Sequence, residues 1–353
     1  MRVLPLFRAF AFVAAGFLLM ASPTAIEARR APALNIGTAM IDGRLVRYVI
    51  ARLDRVRVRA ALGGRFVGDT GWLSQIAKRA HAIAAINGGF FEAYKPLWRK
   101  NLDQTTVING SMVFKGDVGS VLFFDRDNHA SIEHIPLRIE GFLEGGHAYP
   151  DYWYAYWINR LPTADHDTIT IFTPAWGAST DLAGGPQVQV ENGYVTEIND
   201  GPTRIPRDGY VIYFRGELRV AQRFWVGRRA SYVVTEENGA PLGSFANAWQ
   251  AIGGGPELLV DGAILDDPAA QGFRDPKVFR ADTRSMVGVS EDQSELIFAV
   301  ADGTPLQCAQ IMKRLGAYDA MGLDGGASSG LWANGRYVVS PGRQINNALV
   351  LTR

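Results

Sequence analysis

Three clusters along the chain carry residue types that hold anions: Asn87-Gly88-Gly89, Gly253-Gly254-Gly255-Pro256 and Asp324-Gly325-Gly326. Each follows an apolar run, which places it at the end of a strand. Glycine there permits positive φ and close approach of a ligand to the main chain. Consecutive free N–H groups would form an anion nest, although plain tight turns use the same residues. The Walker A and dinucleotide patterns are absent, so no nucleotide-type phosphate loop is expected. Gly326-Ala327-Ser328-Ser329-Gly330 has the G-x-S-x-G spacing of a nucleophile elbow, but that device needs a helix after the serine and a histidine downstream. A strand hairpin is expected after Gly330, and all five histidines (His81, His129, His134, His147 and His166) precede it. None forms an H-x-H or H-E-x-x-H pair, and the single cysteine, Cys308, allows neither an internal disulfide nor a cysteine-based zinc site.

The elements that must position these clusters are mostly short strands. Residues 36–50 and 55–62 alternate apolar with polar side chains, as half-buried strands do. A helix is expected over 71–80 and a buried strand over 82–86, ending at Asn87. Further strands are expected over 165–220, 285–290, 296–301 and 318–323. One strong helix pattern runs from Thr304 to Leu315, with Thr304 as cap, Pro305 in the first turn and Gly316 as terminator. Its buried side is read as Leu306, Ala309, Met312 and Leu315, with Cys308 packed inside. Residues 331–339 fold back through Asn334-Gly335, a strong hairpin signal. Strands outnumber helices without regular alternation, which predicts an α+β fold. That fold is a strand-rich mixed sheet with a few packed helices, its glycine-rich strand ends meeting in one cleft.

Composition excludes other classes. Of 353 residues 47% are hydrophobic and 20% charged, which excludes a disordered chain. The net charge of +1 is mixed along the sequence, so there is no basic stripe for nucleic acid. Arg2 and Arg8 precede an apolar run over 9–21, shorter than the ~20 residues that span a bilayer. Small residues follow, so 1–28 reads as a signal peptide of a secreted or periplasmic protein, an uncleaved anchor being the alternative. No later stretch is expected to cross a membrane. A dense aromatic block (Tyr149, Tyr152, Trp153, Tyr154, Tyr156 and Trp157) suits either core packing or sugar stacking.

Ala84-Ala85-Ile86-Asn87-Gly88-Gly89-Phe90-Phe91 resembles the strand–turn of the phosphodiester glycosidase family. Similar segments follow in the family's order. They are Thr173-Pro174-Ala175-Trp176-Gly177 with Thr180, then Ile205-Pro206 to Gly216, then Gly253-Gly254-Gly255-Pro256 with Val260-Asp261-Gly262. Thr283-Arg284 before Gly288, Val300-Ala301-Asp302-Gly303, and Leu323-Asp324-Gly325-Gly326 with Ser328-Ser329 come next, and Arg343 with Asn346-Asn347 closes the series. The resemblance covers about Asn35 to the C-terminus. It implies a single catalytic domain over 35–353, with an aromatic-rich insertion near 141–160 that has no family counterpart.

The function implied by the resemblance is an exported glycosidase. It would hydrolyse a sugar-1-phosphodiester of N-acetylglucosamine type on the sugar side of the phosphate. A non-catalytic glycan- or phosphate-binding envelope protein of the same fold is the alternative. A phosphate monoester leaves far more readily than an alcohol, so the usual two-carboxylate demand is relaxed. The site then needs an anion clamp, a carboxylate facing the sugar C1 and partners for the hydroxyls. The resemblance assigns Arg284, with Thr283, to the clamp, because a guanidinium meets two phosphate oxygens at once. Gly253, Gly254 and Gly255 would add main-chain N–H groups, and Ser328 a phosphate contact. Asp324 and Asp302 are the candidates for nucleophile, base or stabiliser, with those roles undivided. Asn87 completes the catalytic set. No cofactor is required, although several Asp near a phosphate leave room for Ca²⁺ or Mg²⁺. The expected partner is a glycan or glycolipid carrying a sugar phosphodiester.

Overall fold

Alternation over 36–62 produces three strands, Leu34–Ile41, Arg44–Arg52 and Arg57–Leu62. The first two are joined at Asp42-Gly43, where both residues take positive φ as a two-residue hairpin turn requires. The computed structural model describes residues 32–116, 119–163 and 166–353, so the expected signal segment over 1–28 lies outside the described residues. Leu34–Arg353 forms one compact unit that carries its own core. The fold is α+β, with strands in several sheets and short helices at Leu73–Arg79, Leu218–Ala221, Pro276–Phe279 and Pro305–Arg314.

The largest sheet has seven strands in the order Leu34–Ile41, Arg44–Arg52, Glu295–Gly303, Asp282–Val289, Asp319–Gly322, Glu257–Val260 and Ala263–Ile264. Helix Pro305–Arg314 packs on one face. Thr304 and Gln307 form its capping box, and Cys308, Ala309, Ile311 and Met312 meet Leu258, Met286, Ile297 and Ala299. Leu306 is on the solvent side of this helix, not the buried side, because Cys308 and Ile311 face the sheet instead. Burial pushes the Cys308 thiol up to about 12, so it behaves as a small core hydrophobe.

A five-stranded sheet is ordered Arg336–Val339, Leu331–Ala333, Ala84–Asn87, Asn347–Thr352 and Arg57–Leu62, with helix Leu73–Arg79 against it. Asn334 and Gly335 turn its hairpin at positive φ, as their types predict. A second five-stranded sheet places Gln250–Gly254 between Thr106–Ile108 and Ser120–Phe124. The aromatic block is divided between two further sheets. Tyr152–Ala155 pairs with Leu137–Leu143, and Trp157–Ile158 runs parallel to Thr168–Phe172. Trp153 is fully buried in the core these sheets share, which is the packing role. Among the described residues no helix is long and apolar enough to cross a membrane.

Candidate active site

The three glycine clusters converge, and the main chain shows how. Asp324 N–H donates to the Gly88 carbonyl at 2.9 Å, and Gly255 N–H donates to the Gly322 carbonyl at 2.7 Å. Added side chains would not fit. A Cβ on Gly89 would fall 2.3 Å from the Gly253 oxygen, and one on Gly254 would fall 2.5 Å from the Gly322 oxygen. Glycine is therefore needed here for close strand approach. Gly253 N–H is itself taken by the Thr105 carbonyl at 2.7 Å. With the amides of Gly253 and Gly255 both spent on main-chain partners, the expected anion nest over Gly253, Gly254 and Gly255 is not available.

Beside this junction lies a cavity of about 660 Å³. Its aromatic wall is Phe90, Phe91, Tyr94, Trp157 and Phe273. The cations Arg160, Arg274, Lys277, Arg284 and Arg343 line it together with the carboxylates Asp103, Asp275, Asp282 and Asp324. Four elements supply the central groups. Asp324 follows strand Asp319–Gly322, and Arg284 stands in Asp282–Val289. Trp157 opens Trp157–Ile158. Asp103 belongs to a ribbon in which its N–H donates to the Phe90 carbonyl at 3.0 Å and Glu92 N–H donates to the Asn101 carbonyl at 2.9 Å.

The two inner carboxyls are half-buried and electrostatically linked. Desolvation pushes Asp324 up to about 6, and the Asp103 charge adds to that push. Ser328, Arg343 and the Gly325 N–H work the other way. Ser328 Oγ makes no hydrogen bond of normal geometry, yet it is close enough to the carboxyl to favour its charged form. Asp103 is likewise pushed up to about 6 by desolvation, opposed by Arg160 and reinforced by Glu92. Glu92 is held beside it by Arg160 at 3.3 Å, Lys95 at 2.6 Å and Asn101 at 2.9 Å. Two carboxyls raised by desolvation in one cavity can divide proton donation from attack.

The other expected site residues are placed as follows. Asn87 is fully buried below the cavity and does not line it. Its Nδ2 donates to the Asp324 carbonyl at 2.7 Å and the Gly88 carbonyl at 3.2 Å, while its Oδ1 accepts from Ser285 Oγ at 2.6 Å and Gly330 N–H at 3.0 Å. Every polar valence is occupied, so Asn87 has none left for a sugar and serves to position Asp324. Asp302 does not line the cavity either. Strand side chains alternate, so Asp282 and Arg284 face the cavity while Thr283 faces away. The Thr283 hydroxyl donates to Asp302 Oδ1 at 2.6 Å, its cross-strand neighbour. Asp302 and Thr283 thus pair with each other away from Asp324. Ser328 is buried in the turn beneath Asp324.

Arg284 lines the cavity with its Nη2 engaged by main-chain carbonyls, while its buried Nε has no partner. Its Nη2 donates to the carbonyls of Lys277 and Arg280 at 2.6 Å and of Val278 at 3.2 Å, which pins the segment around helix Pro276–Phe279 over the cavity. Arg343 differs. Its guanidinium lies over the rings of Tyr94 at 4.8 Å and Phe91 at 5.8 Å, and its buried Nε, like that of Arg284, has no partner. Asp103, Gln104, Arg160 and Lys277 are cavity residues without a preceding sequence signal. Arg343 stands in the motif series but nothing in its spacing gives it a role. Among the described residues no group of three or more His, Cys, Asp or Glu is gathered for a metal.

Removing Asn87 tests the positioning role. Asn87→Ala leaves the Ser285 hydroxyl, the Gly330 N–H and the Asp324 carbonyl without their partner, and is expected to destabilise the fold by about 2–4 kcal/mol. Thermal denaturation reads this, and an unchanged Tm contradicts it.

Comparison with known proteins supports the fold. Residues 184–352 match the family model described as phosphodiester glycosidase, so the resemblance carried by the motifs holds over that part of the chain. No curated protein matches at the level of sequence. A hypothetical protein from Synechocystis is 22% identical with a TM-score of 0.75, covering 91% of this chain and 64% of that one. The chain therefore spans less than two thirds of that relative's length. A protein from Burkholderia pseudomallei K96243, named for its inferred export, is 21% identical with a TM-score of 0.71, covering 88% and 74%. Both share the fold. The catalytic domain of zebrafish N-acetylglucosamine-1-phosphodiester alpha-N-acetylglucosaminidase, auto-inhibited by its pro-peptide, is 16% identical with a TM-score of 0.49 over 92% and 85%.

Proposed function

We propose that the chain is an exported hydrolase that cleaves a sugar-1-phosphodiester on the sugar side of the phosphate, with a sugar of N-acetylglucosamine type. The observation that carries this reading is that Asp324 and Asp103, both pushed up to about 6, line one cavity rich in cations and aromatic rings. The family match over 184–352 supports the reaction class. The aromatic wall offers ring faces to a sugar, and Arg343, which lines the cavity over the rings of Tyr94 and Phe91, offers a guanidinium to the phosphate. The expelled phosphate monoester needs little protonation, so one carboxyl attacks or activates water while the other, protonated, donates a hydrogen bond. The substrate is a glycan or glycolipid bearing the diester.

A release assay on a panel of sugar-1-phosphate diesters tests the proposal, and its pH dependence tests the pair. Turnover requires one carboxyl ionised and the other protonated. The expected kcat/KM profile is a bell centred near pH 6, falling on the acid side as the attacking carboxylate is protonated and on the alkaline side as the donor ionises. Asp103→Asn is expected to convert the bell to a single limb. No release from any diester, or a flat profile from pH 5 to 8, contradicts the proposal.

A further inference from the structure

Outside the cavity, the turn that follows the short helix Leu218–Ala221 carries exposed apolar and aromatic side chains. Tyr149, Trp225, Val226 and Tyr194 are 81%, 55%, 63% and 48% exposed. Arginine is concentrated along this turn. Between Leu218 and Thr235 the sequence holds Arg219, Arg223, Arg228 and Arg229 and no Asp or Glu. The turn is also held in shape. The Arg228 guanidinium lies 3.9 Å from the centre of the Trp225 ring, bonds the Arg223 carbonyl and pairs with Asp151. Arg223 bonds the Tyr152 carbonyl and lies 5.0 Å from the Tyr149 ring. Gly227, at φ +92°, donates its N–H to the Val195 carbonyl at 2.8 Å and brings Tyr194 alongside. Arg219 and Arg229 are exposed and form no ion pair among the described residues. Glu144 accepts the main-chain N–H of Arg229 at 2.9 Å, not its guanidinium.

We propose that this turn is a docking surface for an anionic lipid bilayer, with Trp225 and Val226 entering the headgroup region and Arg219 and Arg229 meeting the lipid phosphates. Three properties together select that occupant. Trp and Tyr favour the interface between water and hydrocarbon. A small apolar tip bordered by Arg matches a surface that is apolar beneath and anionic above. The inner Arg residues fix the exposed rings in place, so little ordering is required on contact.

Co-sedimentation with phosphatidylcholine vesicles, with and without phosphatidylglycerol, tests this on the unit Leu34–Arg353, which excludes the apolar run over 9–21. The wild type is expected to partition onto anionic vesicles in a salt-sensitive way and far less onto neutral ones. Each Arg is expected to contribute about fivefold, so Arg219→Glu with Arg229→Glu lowers partitioning by about 25-fold or more. Trp225→Ser with Val226→Ser should also abolish most binding. All four positions are exposed, and a Tm equal to wild type certifies the fold. The proposal is overturned if wild type does not bind at low salt, if it binds neutral vesicles equally well, or if both double variants bind like wild type. Self-association that the variants abolish, without vesicle binding, would assign the face to a second copy instead.

Discussion

Asp324→Asn is expected to lower kcat/KM on a sugar phosphodiester by about 10²-fold or more, the loss that follows removal of a positioned acid–base group. The same substitution is expected to stabilise the protein at neutral pH. In the unfolded chain this carboxyl ionises near the ordinary 3.8, whereas in the fold it keeps its proton up to about 6. Its ionisation therefore works against folding as pH rises from about 4 to 6, and the cost persists above that range. Asparagine never ionises, so the variant should gain about 1–3 kcal/mol over wild type at pH 7 and show no difference below about pH 4. Loss of rate with gain of stability separates a functional carboxyl from a structural one. A variant with lower stability at pH 7 and a proportionate rate loss contradicts the assignment.

Arg343→Lys is expected to reduce kcat/KM by about 10–100-fold with Tm unchanged, since an ammonium cannot make the bidentate contact that a guanidinium makes with phosphate. Among the described residues Arg343 donates no hydrogen bond to the main chain, whereas Arg284 holds three carbonyls. Arg284→Ala gives the contrast. It frees the carbonyls of Lys277, Val278 and Arg280, so it should lower Tm as well as rate. Kinetics and melting curves on the two variants decide which arginine clamps the phosphate. Near-normal turnover in Arg343→Ala removes Arg343 from that role.

Much of the fold was legible because strand alternation and turn chemistry are local. Asp42-Gly43 and Asn334-Gly335 turn the hairpins their types predict, and Thr304 caps the helix it precedes. The candidate site was legible only in part. Asp324 and Asp302 look alike along the chain, each closing an apolar run before a glycine. They differ because of sheet register, which puts Asp302 opposite Thr283 on the face away from Arg284. Asn87 could be marked as special, but only the assembled structure shows its amide consumed by Asp324, Gly88, Ser285 and Gly330. Asp103 lies in an irregular ribbon. It acquires meaning when the sheet carrying Asp324 comes beside it, a contact between segments more than two hundred residues apart. Among the aromatic block, Trp153 went to the core and Trp157 to the cavity wall, a division set by which sheet each strand joined.

The most direct measurement of the central claim is hydrolysis of a sugar-1-phosphodiester in ¹⁸O-labelled water, with both products weighed by mass spectrometry. Attack at C1, directed by Asp324 and Asp103, predicts the label in the released sugar and none in the phosphate monoester. Label in the phosphate would mean that water attacked phosphorus, making the protein a phosphodiesterase and contradicting this account.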